Sequence, residues 1–424
     1  MSSKYFQRLS VSVLLSSFLL SLAACGPTPS AASSSKTSTV TQTRRAPSPS
    51  LPTISTSCPP DGTGRAAVMK PMHLGTHPTI VYTQLLNFQE SNSLTLRRYD
   101  VITHHITDIL HAEILPVFQV AVVSADGQWV LFAAKIGDQD ALQLVRVDGS
   151  YLQTLYCTST EAFIDGNLDW SPDQKFLLFW SAGLNVLNTI SLLDLTTGQG
   201  QTAYSPPPNS KLYYYPGPWL DNTHVYLGNA LQQEDGFVSV ALLDLHDAVH
   251  QHASIMQITP VGKPYSGFDV SSDKTHLFLA TRPLIIFTEP ALGGEEHALY
   301  TSTMQFSSDI TLRTAGPTRL LFIVSTLPKG SRDSSPPSDL LGLWSINTDG
   351  THLFHLVKGI EFFSSTDPRA TVSRDGQYYA ILQENAGGSG TASLLFGKLE
   401  GGQPTVFANG FDSGTIGIAG WTSM

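Results

Sequence analysis

Charge is scarce in this 424-residue chain, in which only 14% of side chains are Asp, Glu, Lys or Arg. The 34 acidic residues outnumber the 24 basic ones, and no lysine- or arginine-rich run reverses that balance. Such a surface is not attracted to phosphate backbones or anionic headgroups, which excludes nucleic acid as a partner. Zinc signatures, P-loops, dinucleotide fingerprints and the Gly-x-Ser-x-Gly nucleophile elbow are absent. No catalytic residue, metal or cofactor is expected on that basis. Also lacking, beyond the first two dozen residues, is any sustained helical periodicity, which points away from helical folds. Glycine (34) and proline (26) are plentiful, and 41% of residues are hydrophobic. That balance suits many turns joining short buried strands.

The one long apolar run is Leu9 to Leu22, preceded by Lys4 and Arg8. This is a secretory n-region and h-region, too short for a membrane span. Leu22-Ala23-Ala24-Cys25-Gly26 follows it directly and resembles the lipobox of bacterial lipoproteins. The resemblance implies cleavage before Cys25 and diacylglycerol on its sulfur, usually with a further acyl chain on the new N-terminus. Two or more chains anchor stably where one does not. Residues 1–24 are thus expected to be a signal peptide, and the mature protein to sit on the extracytoplasmic side of a membrane, anchored without spanning it. Its loss leaves 22 basic against 34 acidic side chains, a formal charge of −12. Residues 26–57 are Ser, Thr and Pro with almost nothing large and apolar, too little to fold. Residues 25–57 therefore read as the lipidated cysteine plus a tether spanning on the order of 30 Å. Residues 58–424 remain for the folded domain.

Of the three cysteines, Cys58 opens the folded region and Cys157 ends an apparent strand. In an oxidising compartment they pair, or else remain two separate thiols. Pairing would close a loop of about 100 residues, worth up to roughly 4.7 kcal/mol by chain entropy.

The rest of the chain repeats. Trp170-Ser171-Pro172-Asp173 is a tight polar turn followed by the apolar strand Phe176 to Trp180. Equivalent turns follow Val123, Val270 and Val372, with weaker copies after Trp219 and Thr314 and a last one at Trp421. Successive spacings are 47, 49, 51, 44, 58 and 49 residues. A second series of turns at Asp100, Asp148, Asp194, Asp244, Asp349 and Glu400 steps by 48, 46, 50, 105 and 51. The step of 105 implies one degenerate turn, expected near Tyr300 to Phe306. A period near 49 with only strand signals points to four-stranded blades of a β-propeller. The copy at Trp421 has no strands after it, and Asp100 has no first-strand copy before it. Ring closure accounts for both if Thr415 to Ser423 becomes the innermost strand of the blade begun at Thr79. That gives seven blades, or six if the region from Pro283 to Ile310 forms none. Repeated Ser-Pro-Asp-Gly-type turns before apolar strands resemble TolB-like and WD-repeat-like propellers, from about Pro78 to Met424. Gln174 and Asn222 depart from the pattern.

Within a propeller, the loops entering each blade and those joining its second and third strands share one face, around the channel mouth. There the sequence places Lys211 to Pro218, with Tyr213, Tyr214 and Tyr215, and two insertions, Arg282 to His297 and Ser325 to Leu340. Rim aromatics offer contact area at little entropic cost. Asp165, Tyr265, Asp367 and Arg369 fall on the same face. The reading favoured is a binding or scaffold module for a protein, peptide or envelope glycan, acting as a monomer. The alternative is a glycoside hydrolase or lyase using mouth carboxylates such as Asp165, Glu361 and Asp367. His246, Asp247, His250 and His252 read as a polar outer turn rather than a metal site. Metabolic labelling with a fatty-acid analogue tests the address: the wild-type chain takes up label and partitions into detergent, and Cys25→Ser does neither.

Overall fold

The computed structural model describes residues 57–59, 72–86, 93–113, 121–159, 162–164, 168–183, 189–207, 210–231, 237–246, 254–303, 309–325, 337–358, 372–384, 391–412 and 416–423. Every regular element among them is a strand. Blade 1 contains β1 (Pro78–Leu86), β2 (Ser93–Asp100) and β3 (Ile106–Glu113). Blade 2 contains β4 (Ala121–Val123), β5 (Trp129–Ile136), β6 (Gln139–Arg146) and β7 (Gln153–Cys157). In blade 3 the innermost strand comes in two pieces, β8 (Ala162–Ile164) and β9 (Asp169–Trp170), before β10 (Phe176–Gly183), β11 (Thr189–Asp194) and β12 (Gly200–Tyr204). Blade 4 runs β13 (Leu212–Trp219), β14 (His224–Leu231), β15 (Ser239–Asp244) and β16 (Ser254–Gln257). Blade 5 runs β17 (Tyr265–Val270), β18 (His276–Thr281), β19 (Ile285–Pro290) and β20 (His297–Thr301). Blade 6 runs β21 (Asp309–Ala315), β22 (Arg319–Ser325), β23 (Gly342–Asn347) and β24 (Phe354–Lys358). Blade 7 holds β25 (Tyr378–Glu384), β26 (Thr391–Lys398) and β27 (Thr405–Asp412), with a bridge from Val372 to Tyr379 on its inner side. The last strand, β28 (Ile416–Ser423), pairs antiparallel with β1 and places Trp421 opposite Ile80. The fold is a seven-bladed, all-β propeller.

The region 283–310 does form a blade, so the six-blade alternative falls. Two placements change with it. The degenerate outer turn of blade 5 lies between β19 and β20, before Tyr300 rather than after it. Arg282 to His297 is no insertion but a hairpin, a strand and that turn; Leu284 and Ile286 are buried in the seam between blades 5 and 6.

A sheet buried on both faces needs apolar side chains on both, which is why the middle strands read as continuous hydrophobic runs. Seven apolar clusters form, one for each junction between neighbouring blades. Val81, Leu96 and Ile109 of blade 1 meet Val130 and Phe132 of blade 2. The junction that closes the ring joins Ile80, Tyr82 and Tyr99 of blade 1 to Leu382, Leu394 and Phe396 of blade 7, with Trp421 among them.

The inner turns repeat one hydrogen-bond pattern. Ser171 Oγ donates to Asp173 Oδ1 (2.8 Å) and accepts from Phe176 N (3.0 Å). Ser124, Ser271 and Ser373 do the same with Asp126, Asp273 and Asp375. Hydrogen bonds from the Ser271 and Thr275 side chains push the Asp273 carboxyl down to about 2. The residue after each Asp is left-handed, with φ of +74° at Gly127, +59° at Gln174, +63° at Lys274 and +66° at Gly376. Glycine adopts that conformation without cost. The two non-glycine residues there use their side chains to reach the preceding blade. Gln174 Oε1 accepts from Asp126 N (3.5 Å), and Lys274 Nζ donates to Trp219 O (2.9 Å). Asn222 likewise accepts from Asp173 N (3.0 Å).

Cys58 and Cys157 are joined, with an S–S distance of 2.13 Å and Cα atoms 5.9 Å apart, at the end of β7. No described helix is long and apolar enough to cross a membrane. Trp421 is 4% exposed, and Trp421→Ala should cost about 3–5 kcal/mol by denaturant titration, as a large cavity in a core does. Removal of the last ten residues should cost more, and a truncated chain of unchanged stability would refute closure through β28.

Candidate functional site

The face expected to bind lies opposite the Ser-x-Asp turns, at the start of the innermost strands. Lys211 to Pro218 is not a loop there. Residues Leu212 to Trp219 form β13, the innermost strand of blade 4. Tyr213, Tyr214 and Tyr215 are half-buried along its first turns of pleat and pair with Ala230, Asn229 and Gly228.

Tyr215 belongs to a chain of four rings that crosses three blades. Its ring centroid lies 5.0 Å from Trp180 of β10 and 5.9 Å from Phe237, which in turn lies 5.5 Å from Phe268 of β17. These separations and tilts are those of favourable aromatic pairs. Two glycines open the space. A Cβ at Gly228 would stand 2.5 Å from the Phe237 ring, and one at Gly217 would stand 2.5 Å from Phe268. Phe237 is fixed by its backbone, which exchanges hydrogen bonds with Tyr265 (2.7 and 2.8 Å). Tyr214 packs with Tyr204 of β12, their centroids 5.1 Å apart, in the junction between blades 3 and 4.

Tyr265 is 0% exposed, so its ring is covered; its hydroxyl donates to Glu296 Oε1 (2.9 Å). Burial, reinforced by Glu296, raises its phenol above the usual range. Asp165, Glu361, Asp367 and Arg369 lie outside the described residues, as do Asp247, His250 and His252. His246 is exposed, its backbone N donating to the Asp244 carboxylate (2.8 Å), as a polar turn requires. Among the described residues no group of three or more His, Cys, Asp or Glu side chains is placed to hold a metal ion.

Sequence reasoning did not find Trp180, Phe237 or Phe268. The signal that could have pointed to them is the pair of glycines within β13 and β14, where a strand has no conformational need of glycine.

No family model matches the chain, and neither does any curated protein sequence. Solved structures do. A putative 6-phosphogluconolactonase from Bacteroides fragilis aligns at 10% identity over 84% of this chain and 100% of its own, with a TM-score of 0.52. The periplasmic gluconolactonase of Pseudomonas aeruginosa aligns at 12% identity over 82% and 96%, with a TM-score of 0.50. TolB from Acinetobacter baumannii aligns at 13% identity over 81% and 83%, with a TM-score of 0.44. At these identities the likeness is one of fold.

The close approach at Gly228 gives a direct check. Gly228→Ala must displace the Phe237 ring, at a cost of about 1–3 kcal/mol for overpacking. The near-ultraviolet circular dichroism of the Trp180–Tyr215–Phe237 chain should change while the far-ultraviolet spectrum stays that of a closed propeller.

Proposed function

We propose that this chain is a lipid-anchored, extracytoplasmic β-propeller whose mouth binds a protein, a peptide or a glycan of the cell envelope. The observation that carries the reading is the ring chain Trp180–Tyr215–Phe237–Phe268, which lines up half-buried and buried aromatic surface across blades 3, 4 and 5. Trp180 and Phe268 are buried and hold the half-buried Tyr215 and Phe237 in place, and rings so fixed give up little entropy when a sugar ring or an extended peptide lies against them. The address rests on Leu22 to Gly26 behind an uncharged apolar run, and on the Ser-, Thr- and Pro-rich stretch that follows. The pairing of Cys58 with Cys157 accords with an oxidising compartment. An acidic surface with few basic side chains favours uncharged or cationic ligands over anionic ones.

The experiment is a binding comparison with the full chain, against purified cell-wall glycan and against a set of extended peptides. Tyr213→Ala with Tyr215→Ala should weaken binding by about tenfold or more, the loss of one or two central aromatic contacts. If the doubly substituted chain melts at the wild-type temperature and binds every tested ligand as well, the mouth of blade 4 is not the binding face.

A further inference from the structure

The junction between blades 4 and 5 contains a group that neither the packing nor the proposed binding face uses. Glu289 lies on β19 opposite Leu277 and is 1% exposed. Its Oε1 has no hydrogen-bond partner among the described residues. A buried carboxylate oxygen without a partner is costly to a core, and such groups neutralise or gain access to water.

Close enough to act on its charge is a polar clamp. Lys263, in the connection that leads from blade 4 into β17, bonds to Glu296 in the turn between β19 and β20. The same Glu296 accepts from the Tyr265 hydroxyl (2.9 Å). The Lys263 ammonium sits 3.7 Å from the centroid of Phe287 and 5.5 Å from that of Tyr265. From β14, Tyr226 Oη donates to Ala291 O (2.6 Å) and holds the turn down. Two segments, 258–264 and 290–296, are thus stapled together beside Glu289. Their outward sides carry Val261 and Leu292, which are 70% and 64% exposed.

The charges that face Glu289 are few. Burial dominates and pushes its carboxyl up to about 7, the negative Glu296 adds to that, and the Lys263 ammonium opposes it. Tyr226 and Tyr265 feel the same carboxylates, and burial raises both phenols further from neutrality, so neither titrates in this range.

We propose that Glu289 is a proton switch for the junction between blades 4 and 5. Neutral, it allows the segments 258–264 and 290–296 to lie clamped; ionised, it opens the clamp and admits water between the two blades. The opening is local because two short segments cost less to release than a whole blade. The sign follows from linkage. The folded state holds a proton that the unfolded state has lost between pH about 4.5 and about 7, so the clamped state loses stability as pH rises through that window. Mildly acidic surroundings close the junction and alkaline ones loosen it.

Hydrogen exchange on the full chain at about pH 6 and about pH 8.5, corrected for the intrinsic pH dependence of exchange, reads the clamp directly. Peptides covering 258–265 and 290–301 should lose roughly tenfold in protection at the higher pH, against no change in blades 2 and 3. Glu289→Gln should abolish that difference. Equal protection at both values in the wild type, or an unchanged difference in the variant, overturns the proposal. Infrared titration of the wild-type carboxyl keeps the question decidable if the variant does not fold: loss of the buried protonated-carboxyl band near neutrality supports the switch, and loss in the ordinary carboxylate range refutes it.

Discussion

Everything in this ring depends on the ladder between its last strand and its first. Four-stranded blades bury both faces only if each has a neighbour on both sides, and a linear row of seven would leave two faces and two inner edges bare. The pairing of β28 with β1 removes that problem with backbone hydrogen bonds, each worth about 0.5–1.5 kcal/mol net, and with Trp421 placed in the closing junction. Thr422 Oγ1 then donates to Gly127 O (2.5 Å), so the closing strand also grips the inner turn of blade 2. The seventh apolar junction, between blades 7 and 1, exists only after this step.

The inner turns add a directional set of contacts. Where glycine occupies the left-handed position it has no side chain to reach the neighbouring blade, and at Gly127 the backbone carbonyl accepts from Thr422 instead. Where Gln174 or Lys274 occupies it, the conformational cost is offset by a bond to the blade before, and Asn222 makes a bond of the same sense. The departures from the repeat are therefore not decay of the pattern. They are the positions at which one blade recognises its predecessor.

The repeat was legible in the sequence because its chemistry is local. Ser and Asp two residues apart, a left-handed residue and an apolar strand all lie within ten residues of each other, and the period alone counts the blades. Legibility failed where the determinant is distant or is the absence of a side chain. Lys211 to Pro218 reads as part of the mouth loops, yet Leu212 to Trp219 is the innermost strand β13, whose free edge has no ladder bond for a proline to break. Blade 5 has no Asp at its outer turn, so the degenerate turn, expected near Tyr300 to Phe306, lies earlier, at Pro290 to Glu296. Phe237 reaches Tyr215 only because Gly228 leaves room, and Glu289 sits in an apolar-looking strand whose neighbours come from another blade. The mouth carboxylates proposed for hydrolysis fall on segments outside the described residues, so their geometry plays no part in the proposed function.

The bond between Cys58 and Cys157 decides where a pull on the chain would be felt. Residues before Cys58 are tied covalently to the end of β7, an outermost strand. Tension from that side stops at blade 2, and the backbone that continues toward β1 is not displaced while the bond holds. The closing ladder is thus mechanically insulated from a pull applied before Cys58: a strand that can be unzipped from its end is kept off the line of force, and the force enters at an edge whose loss would not open the ring.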